Sequence, residues 1–107
     1  MKTIDEKIIA EAVRLLAEAA PGSTIILFGS CARHEAEADS DADFLVVEPE
    51  VRARRAEMVR LRDVLRPLQI PVDVLVVSRK NYEEWRDVPG TVIYEVAREG
   101  KVCYAAA

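Results

Sequence analysis

Histidine occurs once in this sequence and cysteine twice, and each shortage excludes a class of chemistry. With His34 alone, the chain cannot build a histidine metal site or a histidine-centred catalytic dyad from its own residues. Cys31 and Cys103 are too few for a disulfide framework, and no other cysteine or histidine is spaced to complete a zinc site with them. A reduced, cytoplasmic setting is therefore expected. Without a nearby motif that would supply a general base, Cys31 reads as a small loop residue rather than a nucleophile. No stretch approaches the roughly 20 apolar residues of a membrane span, so no membrane association is expected. The opening "MKTIDEKIIAEAV" carries acids in its first turns and does not read as a secretory leader. The formal charge of −4 gives no overall attraction to polyanions, so direct nucleic-acid binding is not expected.

What is present fits one domain, residues 1–107, with room for a modest core and not for two. Thr3 and Glu6 have capping-box spacing, and Ile4, Ile8, Ala12, Leu15 and Ala19 follow at helical intervals until Pro21-Gly22. Thr24 to Phe28 ("TIILF"), Asp43 to Val47 ("DFLVV") and Val72 to Val77 ("VDVLVV") are short β-rich runs bounded by turn residues, hence buried strands. A helix is expected from about Val51 to Arg66, with Met58, Leu61 and Leu65 inward, closed by Pro67. Lys80 to Arg86 and Thr91 to Arg98 read as further helices, with "KVCY" as a candidate closing edge. Helices alternating with strands give an α/β class: a small mixed sheet of about three strands covered by helices.

Two features carry chemistry. Gly29-Ser30 sits at the exit of the first strand, where glycine admits close backbone approach and the following N–H groups and hydroxyl can receive phosphate oxygens. Taken alone, Gly-Ser after a strand is also an ordinary turn. The second feature is the acidic run Asp39, Asp41 and Asp43 before an apolar strand. Asp41 and Asp43, two residues apart, project from one face if both lie on the strand, their Cα atoms ~6.5 Å apart. Asp73 is a lone acid among apolar neighbours and is expected to be buried, where a carboxylate is costly unless paired or metal-bound. An acid pair alone is often just a solvated loop, and Asp73 could pair with Arg33. If all three converge, like charges ~4 Å apart repel by about 4 kcal/mol at an effective dielectric of ~20. Such a trio needs a divalent cation or protons. All-oxygen donors favour Mg²⁺ or Mn²⁺ over zinc.

Gly29-Ser30 followed by Asp41-any-Asp43 and a later strand aspartate, Asp73, resembles the nucleotidyltransferase superfamily of DNA polymerase β. "LFGSCAR…SDADFLVV" and the ending "GTVIYEVAREGKVCY" are similar, more narrowly, to minimal nucleotidyltransferases, including MntA-type antitoxins of HEPN–MNT toxin–antitoxin pairs. His34 and Cys31 depart from the pattern, standing where a glycine and a basic residue are common. The resemblance implies a polymerase β-like palm fold and transfer of AMP from ATP to an acceptor hydroxyl, with two Mg²⁺ ions and departure of pyrophosphate. Asp41, Asp43 and Asp73 would be the catalytic and metal-binding residues, Asp73 also helping to deprotonate the nucleophile. Gly29 and Ser30 would hold the triphosphate. Arg33 would contact a phosphate or brace the acids. The implied partner is a HEPN-type ribonuclease toxin, bound in a hetero-oligomer and silenced by AMP on a tyrosine. The alternatives are an antitoxin acting by occlusion alone, and a nucleotidyltransferase acting on RNA or a small molecule.

The remaining features are read conservatively. Arg52, Arg54, Arg55, Arg60, Arg62 and Arg66 are interleaved with Glu57 and Asp63, which marks a solvated helix face more than a polyanion-binding stripe. Tyr82, Trp85 and Tyr94 read as packing residues of the C-terminal helices.

Overall fold

The computed structural model describes residues 4–29 and 41–105. Asp5 opens the first helix, α1 (Glu6–Ala19), its carboxylate accepting from the Ile8 N–H at 2.9 Å. The cap thus falls two residues beyond Thr3, which lies outside the described residues. Ala12, Leu16 and Ala20 are the most deeply buried of its apolar stripe, a face rotated from the one expected through Ile8 and Leu15. Gly22, in the left-handed region at φ 81, turns the chain into β1 (Thr24–Phe28).

Next come β2 (Ala42–Glu48) and α2 (Arg54–Val64), with Leu61 and Leu65 buried and Met58 packed against them as their spacing predicts. α2 begins three residues later than Val51, and the expected single helix gives way around Pro67 to a 3₁₀ turn, Arg66–Leu68. Proline removes the N–H that would continue the α-helical ladder. β3 (Val72–Ser78), α3 (Arg79–Trp85), α4 (Val92–Glu99) and β4 (Lys101–Ala105) complete the chain. Ser78 and Thr91 cap α3 and α4 through their hydroxyls.

The sheet has four strands in the order β3-β2-β1-β4, one more than the three apolar runs provide. The extra strand is the "KVCY" edge, held by antiparallel backbone pairing to β1 rather than by burial. β1 and β2 are antiparallel, whereas β2 and β3 are parallel, as the intervening α2 crossover requires. Alternation splits the strand side chains between two cores. Ile25, Leu27, Phe44, Val46, Val74 and Val76 meet α1 and α2 on one face. Ile26, Leu45, Val47 and Val77 meet α4 on the other. Among the described residues, no helix is long and apolar enough to cross a membrane.

Candidate functional site

Strand register assembles the site at one end of the sheet. Phe28, the last residue of β1, pairs with Asp43 near the start of β2. Asp43 in turn pairs with Asp73 near the start of β3. Register partners in neighbouring strands share a face, so both carboxylates project from the side that carries Leu45 and Val77, their strands ~4.8 Å apart. Asp41 lies one residue before β2, two positions from Asp43. The register thus sets Asp43 beside Asp73, with Asp41 two residues before Asp43 in the chain.

Their environments differ from the expected ones. Asp73 is exposed rather than buried. Its apolar neighbours imitate a central strand, but β3 is the sheet's edge. The half-buried acid is Asp43. Burial, then the charges of Asp73 and Asp41, push its carboxyl above the usual carboxylate range. Asp43 thus stands in an excess of negative charge that a cation or a proton would relieve.

Gly29 completes this corner. Its φ of 77 is left-handed, and a Cβ built there would collide with Asp43 Oδ2. Glycine is therefore required twice over, by backbone conformation and by the close approach of the carboxylate. Ser30 and Arg33, assigned to the triphosphate, lie outside the described residues, as do Cys31 and His34.

The donor chemistry fits a hard divalent cation: carboxylate oxygens on neighbouring strands, on one face, beside a backbone stripped of its Cβ. Among the described residues, no three acidic, histidine or cysteine side chains are already gathered about a common point. The register supplies proximity, and side-chain rotation would have to supply convergence.

A cavity of about 470 Å³ opens on this same face, and sequence reasoning did not find it. Leu45 and Leu75, each two residues beyond a site aspartate, form its floor with Val77, while Trp85, Val92 and Ile93 wall it. Trp85 is 47% exposed rather than packed in the core. Tyr82 does pack there, and Tyr94 is half-buried with Arg98 over its ring. The one local signal was the alternation Asp73, Leu75, Val77, which places these residues in line. Three of the six arginines between Arg52 and Arg66 are tied into the fold. Arg54 Nε donates to Val76 O at 2.8 Å, Arg60 bridges Glu57 and Ala19 O, and Arg66 pairs with Asp63. This agrees with a solvated, self-paired face.

Comparison with known proteins completes the description. No curated protein sequence is significantly similar to this chain. In structure it is similar to a chain from a toxin–antitoxin crystal structure determined with AMP-PNP (TM-score 0.68, 22% identity, covering 96% of this chain and 75% of that one). It is also similar to a putative nucleotidyltransferase from Sulfolobus solfataricus (TM-score 0.64, 19% identity, 92% of this chain and 78% of that one). The family model for the nucleotidyltransferase domain matches residues 7–100, nearly the whole sequence. The chain belongs to the nucleotidyltransferase domain family.

Proposed function

We propose that this protein transfers AMP from ATP to a tyrosine hydroxyl of a partner toxin of HEPN type, and so acts as an antitoxin in the cytoplasm. The observation that carries the reading is the in-register pair Asp43–Asp73 beside Gly29, in a chain of the nucleotidyltransferase family. The structural likeness to a chain solved in a toxin–antitoxin context with AMP-PNP supports the choice of partner and nucleotide.

Asp41, Asp43 and Asp73 would hold divalent cations, Mg²⁺ first and Mn²⁺ as a substitute. When bound, the cations supply positive charge that offsets the carboxylates and the charge developing on the phosphoryl oxygens. The rest falls to the chain's own residues. Gly29 and Ser30 would receive the triphosphate on backbone N–H groups and a hydroxyl, and Arg33 would contact a phosphate or brace the acids. Asp73, exposed at the sheet edge, would accept the acceptor's proton. The acceptor oxygen bonds to the α-phosphorus, the bond to the bridging oxygen breaks, and pyrophosphate leaves with the electron pair.

Asp73→Asn tests the reading against neutralisation by occlusion. The side chain is exposed, so the variant is expected to fold and to bind the toxin. Intact-mass spectrometry of the toxin after incubation with ATP and Mg²⁺ should show added AMP with the native protein and none with the variant. A native protein that protects against the toxin, forms a complex and adds no mass would establish occlusion instead. Transfer to RNA or a small molecule with none to protein would move the acceptor class.

A further inference from the structure

The family reading leaves open which side of the acid cluster the acceptor approaches and what selects it. In-line displacement at phosphorus puts the attacking and leaving oxygens on opposite sides. On the reading above, the leaving side lies at the end of β1, where Gly29 stands against Asp43. Across the sheet from it, past Asp43, stands Asp73 on β3, and from there the cavity runs along the same face between Leu45, Leu75 and Val77.

We propose that this cavity is the acceptor site, and that it admits an aromatic hydroxyl, the side chain of a tyrosine on a protein segment; the proposal rests on the nucleotidyl-transfer reading above. Three observations carry it beyond position. Leu45 and Leu75, the lining residues next to the acids on their strands, are apolar, and Val92, Ile93 and Trp85 add further apolar and aromatic surface. Its volume of about 470 Å³ is that of a site for a bulky group. Leu45 and Leu75 lie ~6.6 Å along their strands from Asp43 and Asp73, so a hydroxyl resting on that wall must reach the acids on a long arm. Tyrosine has that reach; serine and threonine do not. The mouth then continues as an uncovered apolar patch, with Trp85 47%, Val88 39% and Val92 55% exposed. A patch of that kind, on a chain of net charge −4, suits a protein surface better than a polynucleotide. At the far end Arg54, Ser78 and Asn81 offer polar groups to the acceptor's backbone.

In the step itself the phenolic oxygen bonds to the α-phosphorus and its proton passes to Asp73. The α-phosphorus bond to the bridging oxygen breaks, and pyrophosphate departs toward Gly29 with the electron pair.

Trp85 is the only tryptophan, so its fluorescence reports on the cavity without requiring turnover. The probes are N-acetyl-tyrosinamide, N-acetyl-serinamide and AMP-PNP with Mg²⁺, titrated into the full chain. Tyrosinamide should change Trp85 emission and serinamide should not, and Val92→Asp, at an exposed position, should weaken the tyrosinamide response by about tenfold or more. The same variant should raise KM for the partner protein while leaving AMP-PNP affinity unchanged. An emission change with AMP-PNP that competes with tyrosinamide would place the nucleoside in the cavity and overturn the proposal. So would a partner modified equally well by the native protein and Val92→Asp. A tyrosinamide response without any AMP transfer would instead leave the cavity's ligand standing and sink the nucleotidyl-transfer reading.

Discussion

Gly29 is the position where backbone, carboxylate and chemistry meet, and alanine there perturbs all of them. A Cβ at φ 77 is strained by about 1–2 kcal/mol, before any contact is considered. It also collides with Asp43 Oδ2, which would have to withdraw by about 1 Å to restore ordinary van der Waals separation. Misplacing a catalytic group by that distance lowers rate by about 10²-fold. Gly90 supplies the control, because its φ of 90 is equally left-handed but an added Cβ meets nothing within 4 Å. Gly29→Ala and Gly90→Ala should therefore lose similar stability in urea denaturation, about 1–2 kcal/mol each. Only Gly29→Ala should lose AMP transfer. If Gly29→Ala retained activity within about twofold of native, the carboxylate would not need the position it holds, and the account of the Asp43 site would be wrong.

Other expectations follow from the same geometry. Asp43→Asn should cut transfer by about 10²-fold or more. It should also raise stability at neutral pH, since a carboxyl held above its usual range by burial and by Asp73 and Asp41 contributes stability below its unfolded value and loses it as pH rises. Denaturation at two pH values checks this, and a destabilised Asn variant would contradict it. Glu48, at the end of β2, has a buried Oε2 that finds no hydrogen-bond donor among the described residues. Burial and the neighbouring Glu57 push Glu48 from 4.5 up to about 7, while Glu57, bonded to Arg60, shifts down. The Glu48 contribution is full below 4.5 and lost as pH rises through about 7. Solvent screening and the opposite shift of Glu57 reduce it to about 1 kcal/mol. Glu48→Gln should flatten that loss, and an unchanged pH–stability profile would refute the pairing. At Gly100 an added Cβ would lie 2.5 Å from Val96 O and 2.6 Å from Ile26 Cγ2. Gly100→Ala should therefore destabilise the α4–β4 junction by about 1–3 kcal/mol, read from the urea midpoint.

The sequence spelled out what is local. "TIILF" and "VDVLVV" declared strands because β-branched runs between turn residues have few other uses, and Met58, Leu61 and Leu65 declared the inner face of α2. What it hid depends on neighbours. The exposure of Asp73 turns on β3 being an edge, a property of strand order and not of the residues around the aspartate. β4 was only sketched, because Lys101, Val102, Tyr104 and Ala105 are all exposed and show no alternation, the strand being held by its backbone. The site acids were legible as types and spacing, but the pairing of Asp43 with Asp73 came from the parallel register. The cavity was illegible because β2, β3, α3 and α4 each give it only a residue or a few, none unusual alone. Trp85 looked like packing for the same reason.

The most direct test of the central claim follows the two ends of ATP separately. Native protein, Mg²⁺ and the partner toxin are incubated with ATP labelled at the α-phosphate or, in parallel, at the γ-phosphate. Nucleotidyl transfer at the Asp41–Asp43–Asp73 site predicts α-label covalently on the toxin and γ-label in pyrophosphate, with neither outcome in the Asp41→Asn/Asp43→Asn variant. Label on the toxin from the γ-phosphate, or α-label incorporated equally by that variant, would contradict it.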